Sequence, residues 1–233
     1  MTLSVVCWHW SGGERVYLPE HVNALARMVK RHLPQPHRFI CVTDETEGFD
    51  PEVELIQTPD AAKRLGDLAS PEGRGFPSCY RRLWTFSKDA QTLGERVLLL
   101  DIDCLVVGDL SPLVDVAEDF VGWRPNYQWG SKRIGGGTWL LRTGTHTHVW
   151  EDFCPAQVAA CRAAGYRGSD QAWLSYKLQG CAVWPKDAGI LGSQDLKGRC
   201  PAKPRDARIV HFNGHRKPWH MRNVEWIRRA LDA

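Results

Sequence analysis
The spacing of hydrophobic positions changes along the chain, and the changes mark out its elements. LSVVCW at 3–8 is a short apolar run that predicts a first strand. A Gly12-Gly13 break follows, and then Val22, Leu25, Ala26, Val29 and Leu33 recur at helical spacing. Pro19 falls in the first turn of that helix and Pro34 just past its end, two positions that suit proline. RFICVTD at 38–44 and VELI at 53–56 predict two more strands, and the Gly-, Pro- and Ser-rich stretch 66–78 predicts a flexible loop. A helix fits 80–91, with Leu83, Trp84 and Ser87 on one side. RVLLLDIDCLVV at 96–107 gives the strongest strand signal. Its apolar run from Val97 to Leu100 suits a central strand buried on both faces, and Asp101 breaks the run. DFVGW at 119–123 and GGGTWLLR at 135–142 predict strands, and 147–163 predicts a helix. Another helix opens at Ser169-Asp170-Gln171, with Ser169 in the N-cap role. CAVW at 181–184 and RIVHF at 208–212 read as late strands, and a Trp- and Arg-rich helix covers 223–231. Strands alternating with helices predict an α/β fold with a mostly parallel central sheet, and the absence of repeats or linkers favours one domain over 1–233.

Composition adds constraints. With 233 residues and 43% hydrophobic positions the chain can bury a large core without disulfides or metal. No apolar run approaches the roughly 20 residues of a membrane span. The start, MTLSVVCWHW, lacks the basic-then-apolar layout of a secretory signal, so the expectation is a cytoplasmic protein. The eight cysteines include no CxxC pair, which argues against a zinc ribbon or a thioredoxin-type site and for reduced thiols. The net charge of +3 is too small for a bulk nucleic-acid coat protein. The charge is uneven, however. Residues 181–233 carry 11 Lys/Arg against 5 Asp/Glu, which points to an anionic ligand or partner at that end.

Two segments carry candidate chemistry. LLLDIDCL puts Asp101 and Asp103 at the end of a buried strand, where open α/β sheets bind ligands. On an extended chain the two side chains point the same way, and their mutual repulsion is relieved by a hard divalent cation such as one bound to a nucleoside diphosphate. HFNGHRKPWH, at 211–220, follows the strand RIV. His211 is a candidate nitrogen ligand for the same ion, and a mixed O/O/N set suits Mn²⁺. Gly214 permits close backbone approach, Lys217 can meet phosphate as a point charge, and Pro218 stiffens the loop.

At these residues the chain resembles the GT-A-type glycosyltransferases, in particular the glycogenin and lipopolysaccharide galactosyltransferase group (glycosyltransferase family 8) and short bacterial and phage relatives. The resemblance runs in order through YLPEHVNALARMVKRHLP, YRRLWTFSK, RVLLLDIDCLVVGDLSPL, IGGGTWLLR, SDQAWLS and HFNGHRKPW. It implies a single GT-A domain, Rossmann-like, with 1–110 as the nucleotide-binding half and 111–233 as the acceptor and donor-sugar half. It implies Mn²⁺ or Mg²⁺ held by Asp101, Asp103 and His211. Lys217 and Gly214 would contact the diphosphate, and Ile102 would lie on the donor site. Trp8 and Tyr17 would fall in the base-binding region. Arg82 or its neighbour Arg81 would stand near the nucleotide and sugar, and Asp170 and Gln171 near the anomeric carbon. Gly135, Gly136 and Gly137 stand where the family has Asn-Ser-Gly, a change that removes side-chain hydrogen bonds to the sugar. The implied reaction moves a sugar from a UDP-type donor to a hydroxyl acceptor with retention, through a covalent carboxylate intermediate or through same-face attack. The basic C-terminal segment would suit an anionic acceptor for that reaction, such as a modified nucleic-acid base, as in DNA, or a bacterial glycan.

Two other readings compete. A sugar-phosphate nucleotidyltransferase needs a Gly-rich, cation-bearing loop after the first strand, and WHWSGGERVY has only part of that pattern. A non-enzymatic nucleic-acid-binding module would use Arg199, Lys203, Arg205, Arg208, Arg216, Arg222, Arg228 and Arg229, but no nucleic-acid motif accompanies them. The loop at 66–78, the segment from Trp123 to Trp129 and the basic C-terminal region are the expected acceptor side.

Overall fold
The computed structural model describes residues 2–10, 17–70, 78–125, 133–196, 202–212, 214 and 216–232. The Gly12-Gly13 break, most of the 66–78 loop, Trp129, Arg199 and Cys200 lie outside the described residues. A seven-stranded sheet forms the centre, in the order β3-β2-β1-β4-β7-β6-β8. Its strands are β1 (Leu3–Trp8), β2 (His37–Thr43), β3 (Glu54–Gln57), β4 (Arg96–Leu100), β6 (Phe120–Trp123), β7 (Gly135–Arg142) and β8 (Ala182–Val183). Pairings are parallel except at β7, which runs antiparallel to both β4 and β6. A second, three-stranded sheet has the order β5-β10-β9, with β5 at Cys104–Val106, β9 at Ile190–Gly192 and β10 at Ile209–His211.

The apolar pattern of the central strands supplies a core on each face of the sheet. Along β1, Val5 and Cys7 join one cluster while Val6 and Trp8 join the other. Along β4, Leu98 and Leu100 face the first and Val97 and Leu99 the second. Helix α1 (Pro19–His32) packs its apolar stripe of Val22, Leu25, Ala26 and Val29 on the first face, together with the small sheet and α7 (Glu225–Asp232). The second face carries the segment 80–93 and α6 (Asp170–Lys177). Short helices α2 (Asp60–Lys63), α3 (Ser111–Val114), α4 (His148–Glu151) and α5 (Pro155–Ala163) complete the description.

Four local expectations change. The single strand at 96–107 is two strands in two sheets: the chain leaves β4 at Asp101, turns with Cys104 N–H on Asp101 O (3.3 Å), and enters β5. The helix at 80–91 is a pair of 3₁₀ segments, Tyr80–Phe86 and Lys88–Leu93, interrupted where Ser87 is extended. Tyr80, Arg82, Leu83, Trp84, Thr85 and Phe86 are all buried there, so tertiary packing rather than one amphipathic stripe sets the geometry. The helix at 147–163 divides into α4 and α5 because Pro155 keeps Cys154 extended. Ser169 stands before α6 but does not cap it. Its hydroxyl accepts the Cys79 N–H at 3.0 Å instead.

The topology fixes where a ligand can sit. From β1 the chain proceeds to β2 and β3 on one side and later returns to β4 on the other, so the strand order reverses between β1 and β4. Because β7 is antiparallel to β4, its first residues lie beside the last residues of β4: Leu100 pairs with Thr138, and Asp101 N–H donates to Gly137 O at 2.9 Å.

Candidate active site
Asp101 and Asp103 follow β4 in a turn, so their side chains diverge rather than point the same way as on an extended strand. Asp101 accepts from Arg82 Nη1. The same guanidinium donates from Nε (2.9 Å) and Nη2 (2.7 Å) to Asp170 Oδ2, at the first residue of α6. Arg82 and Asp170 are buried, and Asp101 is half-buried. Asp103 Oδ2 accepts from Lys217 Nζ and from the Tyr17 hydroxyl at 2.9 Å, and Lys217 also donates to Phe212 O at 3.2 Å. The Lys217 ammonium lies 5.5 Å from the Tyr17 ring centroid.

His211 ends β10 opposite Cys104, and Phe212 N–H donates to Asp103 O at 3.1 Å, so the distant HFNGHRKPWH segment is paired onto the Asp turn. The imidazole is fully buried. Its Nε2 lies 2.7 Å from Thr138 Oγ1, and its ring stacks on Trp123 with centroids 4.4 Å apart at 18°. Nδ1 has no hydrogen-bond partner among the described residues. The Gly-rich start of β7 floors this region. A Cβ on Gly137 would lie 2.8 Å from Asp101 Oδ2 and 2.9 Å from His211 Nδ1. On Gly136 it would lie 3.1 Å from Arg82 Nη2, 3.2 Å from Gln171 Cβ and 3.4 Å from Asp170 Oδ1.

Burial and charge push the carboxylates apart. Burial raises the Asp170 carboxyl above its ordinary value, with Asp101 adding to the shift and Arg82 opposing it. Burial would also raise Asp101, but Arg82, His211 and Lys217 together outweigh it and hold Asp101 below its ordinary value. Burial lowers His211, which favours the neutral imidazole. A neutral ring that gives its Nε2 proton to Thr138 turns the Nδ1 lone pair toward Asp101 and Gly137.

Other expected positions are distributed around this centre. Arg82, not Arg81, joins the carboxylates; the Arg81 guanidinium stacks 5.6 Å from the Trp10 ring centroid. Trp8 is buried edge-on against Trp84, with centroids 6.3 Å apart, whereas Tyr17 is only partly buried and meets Trp219 edge-on at 5.7 Å. Ile102 is buried in the core between the two sheets. Gly214 has φ +91°, a backbone conformation that favours glycine. Trp123, which heads the segment expected on the acceptor side, is buried against His211. Thr138 and the Trp219–His21 stack, with centroids 3.7 Å apart, were not legible in advance. Their only signal was position, Thr138 directly after the three glycines and Trp219 directly after Lys-Pro.

No protein-family model matches the chain, and no curated protein sequence matches it. Solved structures do. The galactosyltransferase LgtC, in complex with donor and acceptor sugar analogues, superposes with a TM-score of 0.66 at 14% identity, covering 98% of this chain and 94% of that one. The glycosyltransferase GlyE of Streptococcus pneumoniae TIGR4 matches at 0.58 and 15%, covering 100% and 62%. The bifunctional glycosyltransferase WbbM matches at 0.57 and 12%, covering 99% and 51%.

The chain has the GT-A glycosyltransferase fold. Within the GT-A sheet, Asp101, Asp170, Arg82 and His211 gather at the carboxyl end of β4. Among the described residues no three His, Cys, Asp or Glu side chains close on one point as a metal set. Two of the expected donors fit a cation: the orphaned Nδ1 of His211 and Oδ2 of Asp101 face the space that a Gly137 side chain would fill. Asp103 is turned to Lys217 and Tyr17.

Several described cations of the basic C-terminal segment have partners within the protein. Lys203 donates to Val107 O at 2.6 Å and Arg208 donates to Asp109 O. Arg222, Arg228 and Arg229 pair with Glu225 or Asp232 on α7. No helix among the described residues is long and apolar enough to cross a membrane.

Proposed function
We propose that this chain transfers a sugar from a nucleoside-diphosphate donor, with UDP as the nucleotide, to a hydroxyl acceptor, with a divalent metal ion and with retention at the anomeric carbon. The observation that carries the reading is the meeting of Asp101, Arg82, Asp170 and His211 at the β4 end of a GT-A sheet, walled by Gly136 and Gly137. A Mn²⁺ or Mg²⁺ ion would be held by Asp101 and His211, joined by Asp103 once that carboxylate left Lys217 and Tyr17, and would supply Lewis-acid charge to the diphosphate. Lys217 is a compact cation already at the strand end, and its exchange from Asp103 to the departing diphosphate offsets the charge that builds there. Gly214 lets the same loop bring its backbone close to phosphate. Tyr17, rather than the buried Trp8, is the ring assigned to the nucleotide.

Arg82 orients two carboxylates at once, and Asp170 faces the anomeric carbon beside Gln171. A carboxylate there stabilises the oxocarbenium-like transition state of sugar transfer.

The test is donor hydrolysis. A panel of nucleotide-sugars is offered with and without Mn²⁺, and released nucleotide is measured. The expected result is Mn²⁺-dependent release of UDP, lost in Asp101→Ala and Asp103→Ala while their melting curves stay cooperative. Release of no nucleotide from any donor, with no uptake of UDP by calorimetry, overturns the reading.

A further inference from the structure
A second cavity, of about 80 Å³, opens beside the carboxylate cluster, lined by Arg133, Ile134, Tyr166, Arg167 and Gln171. Three segments build it: the approach to β7, the turn before α6, and the first turn of α6. Gln171 is the shared wall. Its Cβ stands 3.2 Å from where a Gly136 side chain would begin, the same point that Arg82 and Asp170 face, and its amide reaches back toward Arg167 O at 3.5 Å. On the other side Arg133 Nη2 donates to Gly165 O at 2.8 Å, which fixes that guanidinium at the cavity. The Arg167 guanidinium makes no ion pair or hydrogen bond among the described residues.

The charge balance here differs from that of the neighbouring site. Arg82 and Lys217 are matched by Asp101, Asp170 and Asp103. Among the described residues the second cavity is lined by Arg133, Arg167, Tyr166, Gln171 and Ile134, and by no carboxylate. Guanidinium forks match the planar oxygens of carboxylate and phosphate, and such charge-assisted bonds are about twice as strong as neutral ones.

We propose that this cavity is a subsite for the acidic group, carboxylate or phosphate, of a sugar whose ring lies at the Asp170–Gln171 end of the active site. The proposal rests on the sugar-transfer reading above. It gives the three glycines a consequence: with no side chains from 135–137 to hold hydroxyls, the sugar is anchored by its charge at Arg133 and Arg167.

The acidic sugar can enter as donor or as acceptor, and the experiment separates the two. One arm compares nucleotide release from UDP-glucuronate and UDP-glucose. The second compares methyl glucuronide and glucose 6-phosphate with methyl glucoside as acceptors for the best neutral donor. The third follows binding of the same free sugars by NMR. Each is run on the wild type, on Arg133→Gln/Arg167→Gln and on Arg167→Lys, with melting curves for all three. The expected result is a preference of about tenfold or more for the acidic compound in the donor or acceptor arm and in binding. It falls to about one in the double Gln variant and survives in part in Arg167→Lys. Equal use of acidic and neutral sugars by a protein that does turn over nucleotide-sugars overturns the subsite alone, as does a preference that persists in the double variant. Arg-dependent binding of acidic sugars without turnover of any nucleotide-sugar upholds the subsite and overturns the transfer reading. Neither binding nor turnover overturns both.

Discussion
The ion pairs at the end of β4 and those along α7 use the same residue types in opposite surroundings. Arg82 holds Asp101 and Asp170 inside the protein, whereas Arg222, Arg228 and Arg229 meet Glu225 and Asp232 in solvent. An exposed pair gains little, because water screens it and two long side chains lose freedom. A buried one has lost its hydration and persists only while each charge is compensated. The α7 pairs therefore add little to stability, while the Arg82 cluster stores unfavourable desolvation at a place where charge is used.

The sharpest way to break this comparison is to remove the shared cation. Arg82→Met leaves Asp101 and Asp170 buried without it and should cost about 3–5 kcal/mol in urea unfolding, with turnover lost. The matching change on α7, Arg229→Ala, should cost less than about 1 kcal/mol. Similar losses at both positions would dissolve the distinction.

Next in size is a graded pair at the glycine floor. A Cβ on Gly137 meets Asp101 and His211 at 2.8–2.9 Å, while on Gly136 its contacts are 3.1–3.4 Å. Gly137→Ala should lower metal-dependent turnover by about 10²-fold or more, because it occupies the space between two charge-bearing atoms. Gly136→Ala should cost about tenfold or less, since its neighbours need give only tenths of an ångström. Kinetics of the two variants side by side check the order.

The smallest effect concerns stability and pH. Burial raises the folded-state value of Asp170 above its unfolded value, so ionised Asp170 destabilises the fold at pH above both. The penalty is relieved as pH falls through the folded value toward the unfolded one. Asp170→Asn should therefore melt at the same temperature as the wild type or a few degrees higher at neutral pH, and the difference should shrink on acidification. Activity should be lost at every pH. A variant that melts well below the wild type at neutral pH would show that ionised Asp170 stabilises the fold.

Much of this was legible in sequence because it depends on local pattern. The period of two along β1, the unbroken run in β4 and the helical stripe of α1 place two apolar cores about one sheet. Asp101 after that run marks the strand end, and HFNGHRKPWH marks its partner segment. The basic count of the C-terminal segment was equally legible, but composition does not show that Glu225, Asp232 and Asp109 lie within reach of Arg222, Arg228, Arg229 and Arg208.

The sequence by itself determined which residues could be strands and where charge interrupts them, because side-chain period and burial are set over a few neighbours. Tertiary structure decided the rest. Antiparallel β7 lays Gly137 beside Asp101. β10 carries His211 across 110 residues of chain to the same turn and leaves one ring nitrogen orphaned. Whether Asp101 and Asp103 share one ligand or face Arg82 and Lys217 separately depends on a turn and on two distant cations. Those are contacts between segments, and only the packed sheet brings the segments together.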